Sequence, residues 1–296
     1  MDIKVVEYDW WGSSNAPPAQ LKTTKQLAEL NLSPVAPVGV IRTEKYDLKL
    51  YDPGSEQSVR PKRKATSAQL AALQKGRDRS AFNRALAEWR EYEGFILRDR
   101  INAVRWAKKI LHQPERWRVL DTETTGLDSR DRIVEIAVVD LAGTPLLNTL
   151  VKPTGEWYIH PEAEATHGIA PDELENAPTF SEIYPQLASV IAGQDILAYG
   201  ADFDARMIGG EMSRAGLPSG SLNWHCLMQR YSTWCGEWSD YHGDYRWQAL
   251  GGSHRALGDS LAALSCLKRM ADSSDEFAYP DWLIEKGQTV GVDLNP

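Results

Sequence analysis

From residue 116 onward the chain reads as three short extended segments followed by a regular alternation of helices and strands, a rhythm that few folds satisfy. Residues 117–121, 132–140 and 145–151 are rich in Val, Ile and Leu. They are joined by the turn-like Asp128-Ser129-Arg130-Asp131 and Ala142-Gly143-Thr144. Three strands with short links predict an antiparallel meander. Helical periodicity follows at 181–192, 203–215, 227–234 and 256–271, with extended candidates at 195–199 and 222–226 between them. A meander continued by alternating helices and strands predicts an α/β fold with a mixed sheet.

The first 115 residues have a different character. Pro17, Pro18, Pro34, Pro37, Pro53 and Pro61 interrupt any long helix before residue 66, leaving a β-rich or irregular segment with strands expected at 38–42 and 46–51. The basic run Arg60-Pro61-Lys62-Arg63-Lys64 follows, and a helix is expected from Thr66 or Ser67 to about Leu111, weakened at Gly76 and Gly94. Through Glu115 there are 20 basic against 14 acidic residues; after it there are 13 against 27, so a net charge of +6 faces one of −14. This asymmetry predicts two units with different tasks: a basic accessory region over 1–112, which would bind nucleic acid or a partner, and a larger domain over 116–272. A polar tail, 273–296, is expected to wrap the domain through Phe277, Tyr279 and Trp282 or to stay loose. Within the basic region, Arg60, Lys62, Arg63 and Lys64 are the candidates for nucleic-acid backbone contact.

Composition removes other classes. No apolar run approaches the roughly 18 residues that cross a bilayer, so no membrane association is expected. The N-terminal stretch, with acids and tryptophans, does not read as a secretory signal. Cys226, Cys235 and Cys266 are odd in number and form no CxxC pair, which argues against a disulfide framework and for a reducing, cytoplasmic location. His225-Cys226 with Cys235 and His242 matches no common zinc spacing. The eleven tryptophans are scattered, and packing is the expected role for most of them.

The chemistry is concentrated in acids. Asp121-Thr122-Glu123-Thr124-Thr125-Gly126-Leu127 begins at a strand end, where alternation puts Asp121 and Glu123 on one face. Two carboxylates pointing together repel unless protons or cations bridge them, and hard divalent cations favour such oxygen donors. Tyr199-Gly200-Ala201-Asp202-Phe203-Asp204 again closes a strand and opens a helix, offering Asp204; His254-Arg255-Ala256-Leu257-Gly258-Asp259 offers a histidine and an aspartate at another helix start. Singly, Asp204 and Asp259 could be caps and His254 a surface histidine; jointly the pattern is far more specific.

Residues 116–272 resemble the DEDD superfamily of 3′→5′ exonucleases in its DEDDh branch, which includes the proofreading subunit of bacterial replicative polymerases and ribonuclease T. The first motif of that family reads as Asp121 through Leu127, the second ends in Phe203-Asp204, and the third is His254 to Asp259. Thr166-His167-Gly168-Ile169 and Ala177-Pro178-Thr179-Phe180 look like its connecting segment. One departure stands in the second motif, where Gly200 occupies the place of the usual Asn. Tyrosine at position 254 would mark the other branch.

The resemblance implies a ribonuclease H-like mixed five-stranded sheet flanked by helices. It implies that Asp121, Glu123, Asp204 and Asp259 hold two divalent ions, Mg2+ or Mn2+, with His254 as general base, and that the enzyme releases 5′-mononucleotides from single-stranded 3′ ends. Thr124, Leu127 and His167 would contact substrate. DNA is the favoured substrate, as in repair, with an RNA-directed exonuclease that trims RNA 3′ ends as the alternative within the same class. An accessory protein that tethers a replication or repair partner through the N-terminal region is the reading from a different class.

Overall fold

The computed structural model describes residues 4–218 and 222–294. The chain divides into two compact units, Met1–Ser80 and Ala81–Pro296. The division falls inside a long helix, upstream of His112-Gln113-Pro114, where the sequence suggests a boundary.

The first unit contains β1 (Val6–Tyr8), β2 (Lys22–Thr23), α1 (Thr24–Glu29), β3 (Leu32–Pro34), β4 (Gly39–Arg42), β5 (Asp47–Tyr51) and β6 (Val59–Pro61). The two strands anticipated from the sequence, β4 and β5, pair antiparallel at the centre of a sheet of order β1-β4-β5-β2. The remaining strands have two or three residues each, too short to carry a period-2 signal, and exist through pairing with their neighbours. The helix α1 starts at a capping box in which Thr23 and Gln26 satisfy each other's backbone N–H groups. Its Leu27 packs with Tyr51 and Val59 in a small core. Arg60, Lys62, Arg63 and Lys64 are all exposed.

The helix α2 (Ser67–Leu111) runs 45 residues without a break at Gly76 or Gly94. A glycine in a helix interior costs about 1 kcal/mol, but a Cβ at Gly94 would lie 3.0 Å from the Trp89 ring. The glycine therefore makes the space in which Trp89 is buried. Phe82 and Trp89 pack with Leu283 of α8 (Asp281–Thr289), and Tyr279 joins them, so the C-terminal segment is seated on the second unit's own helix.

The second unit is built on a five-stranded sheet of order β11-β10-β7-β8-β9, comprising β7 (Trp117–Thr124), β8 (Ile133–Val139), β9 (Pro145–Leu150), β10 (Asp195–Ala198) and β11 (Asn223–Cys226). The anticipated meander is β7-β8-β9, all antiparallel, and β10 joins β7 in parallel. One face carries Trp117 and Val119 against α6 (Leu227–Cys235), α7 (Ala256–Ala271) and the last turns of α2. The other carries Leu120, Ile136 and Val138 against α4 (Phe180–Ile191) and α5 (Ala201–Arg214). Covered on both faces, β8 is a near-continuous apolar run, and burial of each aliphatic side chain contributes about 1.5–3 kcal/mol. A buried ion pair ties α5 to the start of β8: Arg132 Nε and Nη2 donate to Glu211 at 2.6 and 2.8 Å. Removal of one partner of such a pair costs about 3–5 kcal/mol. Among the described residues no helix is long and apolar enough to cross a membrane.

Candidate active site

Strand β7 supplies the first acids by simple alternation. Asp121 and Glu123 point to the face covered by α7, and Thr122 points to the face covered by α5. From α7, whose N-terminal turn enters this end of the sheet, comes Asp259. Ligand-capable oxygens of Asp121, Glu123 and Asp259 all lie within 4.8 Å of one another. The fourth acid, Asp204, arrives from the opposite face in the first turn of α5, where Thr122 Oγ1 donates to its Oδ1 at 2.8 Å. It is 3% exposed. The compact group of three therefore has Asp204 beside it, on the far side of the same strand.

Electrostatics follow from the crowding. Burial, then the charges of Asp204, Glu123 and Asp259, hold the Asp121 carboxyl well above its ordinary range. Burial and the charges of Asp259, Glu135 and Asp204 push Glu123 up to about 8. Burial pushes Asp204 up to about 7 against the opposing hydrogen bond from Thr122. Carboxylates so placed take up protons or share a cation. A set of hard oxygen donors at this spacing fits a divalent cation of the Mg2+ or Mn2+ type.

The rest of the first motif builds a loop. Thr124 Oγ1 donates to the Gly126 carbonyl at 2.6 Å, and Thr125 Oγ1 donates to Asp131 at 2.8 Å. A Cβ at Gly126 would come within 2.5 Å of the His160 ring and 2.6 Å of Asp131, so any larger residue there would displace both side chains. Arg206 and Arg214 of α5 donate to the carbonyls of Leu127 and Ser129. Held in this way, the Leu127 side chain is 80% exposed at a cavity of about 410 Å³ that Glu123, His160, Glu162 and His167 also line.

Thr124 and His167, expected to contact substrate, line the same cavity with their polar atoms already engaged. His167 Nε2 meets the Thr124 carbonyl at 3.2 Å, while the Ile169 N–H donates to Nδ1 at 3.0 Å. That pattern fixes the neutral Nε2–H tautomer, and burial lowers the pKa of the ring. Both residues shape the cavity wall.

His254 occupies an exposed turn just before α7 with φ of 54°, a left-handed conformation unusual for a residue with a side chain. Its backbone N–H donates to Asp259 Oδ1 at 3.0 Å. A Cβ at Gly252 would stand 2.1 Å from that same oxygen. The turn thus closes tightly over one of the acids.

Sequence reasoning overlooked Glu135. It is the one charged residue in the apolar strand β8, directly opposite Glu123, and it is 5% exposed. A charge inside such a run is itself a signal that a partner waits elsewhere in the chain.

Fold and site together define a nuclease of the ribonuclease H-like class. The RNase T exonuclease family profile matches residues 119–267, half the chain. The chain belongs to this family, within the DEDDh branch of 3′→5′ exonucleases, and is a hydrolase of terminal phosphodiesters. Among its relatives is the uncharacterized exonuclease CP81 of Escherichia phage 186, 35% identical over 170 residues that span 51% of this chain and 86% of the relative. The DNA polymerase III subunit epsilon of Pasteurella multocida is 31% identical over 117 residues, 36% of this chain and 46% of that subunit. The chain thus spans less than half the length of this polymerase subunit. Among solved structures, exonuclease X in complex with 5′ overhanging duplex DNA is 28% identical, covering 54% of this chain and 95% of that one, with a TM-score of 0.37.

Proposed function

We propose that the protein degrades single-stranded DNA from its 3′ end to 5′-mononucleotides, with Asp121, Glu123, Asp204 and Asp259 holding two divalent cations and His254 acting as general base. The observation that carries this reading is the meeting of three carboxylates from two separate elements within 4.8 Å, with Asp204 hydrogen-bonded to the residue between two of them. Bound cations would supply Lewis-acid polarisation of the scissile phosphate and offset its developing charge. The acids raised by burial and by one another's charges would give up their protons as cations bind, so cation loading should strengthen as pH rises.

His254 accepts the proton of the attacking water on a ring nitrogen, a role suited to imidazole near neutral pH. Leu127 offers an apolar edge on which the terminal base rests, and the loop bonds from Arg206 and Arg214 keep it presented. The exposed Arg60, Lys62, Arg63 and Lys64 of the first unit bind the backbone of the strand by charge. The relatives named as subunits of DNA polymerase III favour DNA over RNA and a role beside a replication or repair assembly.

Matched DNA and RNA oligonucleotides labelled at the 5′ end test the reading. The expected result is stepwise shortening of the DNA in Mg2+ or Mn2+, release of 5′-mononucleotides, arrest by EDTA and no reaction in Asp121→Ala. Activity persisting in that variant overturns the assignment of the acids, and faster decay of the RNA overturns the substrate preference.

A further inference from the structure

We propose that Glu135 is a positioning residue for the reaction, a latch that holds the turn bearing His254 in one conformation, and not an additional holder of cations. The proposal rests on the reading of His254 as general base given above. Glu135 lies in the middle of β8, on the same face as Asp121 and Glu123, and a carboxylate at that place would be the natural fifth member of the acidic set. Its oxygens are otherwise engaged. Arg255 Nη2 donates to Oε1 at 2.7 Å, Arg255 Nε donates to Oε2 at 3.0 Å, and the Ala256 N–H donates to Oε2 at 2.9 Å. The group of three acids within 4.8 Å does not include it.

The two residues that Glu135 holds are the two that follow His254. On the other side of the same residue, the His254 N–H is fixed to Asp259 Oδ1 at 3.0 Å. His254 is thus gripped from both ends. That grip has a purpose, because its φ of 54° is a conformation that L-residues adopt only when their surroundings over-determine it. No other side-chain tie to the 254–256 backbone appears among the described residues. Without the fork of Arg255 and the Ala256 N–H bond, the turn is free to relax to negative φ, which redirects the imidazole. Bidentate pairing of this kind gives direction as well as attraction, and it also supplies a cation that opposes the neighbouring negative charge on Glu123.

The test uses the whole 296-residue chain and four variants, Glu135→Gln, Arg255→Ala, His254→Ala and the double variant Glu135→Gln/His254→Ala. With 13C-labelled histidine, the metal-free wild type should give one sharp ring resonance that disappears in His254→Ala, identifying it among the six histidines. In Glu135→Gln and in Arg255→Ala that resonance should shift and broaden or split. An unchanged resonance in both variants overturns the latch whether or not the protein proves to be a nuclease. In steady-state assays Glu135→Gln should lower kcat about 10–100-fold, the range for partners that orient a reacting group, with KM for the oligonucleotide and the Kd for Mn2+ within about twofold of wild type. In the His254→Ala background the same substitution should cost nothing further, since both changes act through one side chain. A weakened Mn2+ affinity makes Glu135 a cation holder, and a full additional loss in the double variant gives it a separate role; either result overturns the proposal. Should Glu135→Gln fail to fold, Arg255→Ala, at a half-exposed side chain, reads out the same contact.

Discussion

The strand end at Asp121–Glu123 and the turn at 251–255 place the same site by opposite means. Strand β7 is anchored between β8 and β10 at its start and stays paired to β8 through Asp121 and Glu123, with both of its faces covered, so its carboxylates are set by the core itself. The turn has an exposed histidine and a left-handed backbone, held by the side chains of Asp259 and Glu135. The proposed cation holders are thus set by the sheet, whereas the proposed general base depends on a strained turn that a few side-chain ties keep in one conformation. Damage to the two regions should therefore look different.

The largest effect falls on the strand. Asp121→Asn should abolish hydrolysis and weaken Mn2+ binding, yet raise the melting temperature of the metal-free protein at pH 8 by removing one crowded carboxylate. Calorimetry with and without Mn2+ checks both halves. On the turn, His254→Ala should lower kcat by about 10²–10⁴, the usual share of a general base, with Mn2+ affinity unchanged. Equal losses of affinity in the two variants would erase the distinction between the regions.

Gly252→Ala probes the place where they touch. Its new methyl group would meet Asp259 Oδ1 at 2.1 Å, and forced overpacking costs about 1–3 kcal/mol, readable in urea unfolding alongside a drop in kcat. The smallest effect is a slope with pH. Asp121, Glu123 and Asp204 are all raised above the ordinary carboxylate value of about 4. Their stabilising contribution is complete below that value and is lost as pH rises through about 7 and 8, because the folded state binds protons that the unfolded chain has released. The metal-free melting temperature should fall from pH 5 to pH 9, and millimolar Mg2+ should flatten the fall.

Much of the catalytic unit is legible in the residues, because its elements carry their own signals. The expected helix at 256–271 is α7 to the residue, and the expected strands at 117–121, 132–140 and 145–151 correspond to β7, β8 and β9 within a few positions. The acids could be found because strand ends and helix starts are local features. Glu135 could not be assigned, because its meaning lies in Arg255, 120 residues away. The helix α8 was hidden for a similar reason: its one fully buried large side chain, Leu283, is matched to Phe82 and Trp89 across the sequence. The short helix Pro161–His167 had a readable cue in the proline at its first turn. In the first unit, two- and three-residue strands give no period to read.

The strand β7 works with both of its sides at once, carboxylates toward α7 and the hydroxyl of Thr122 toward Asp204 on α5. Losing or gaining a single codon between Val119 and Glu123 would exchange those sides, turning acids toward α5 and the hydroxyl toward α7. Substitutions in this stretch can be graded by size and charge, but changes in its length cannot. Variants that differ in length should accumulate in the connecting loops and be absent from these five positions.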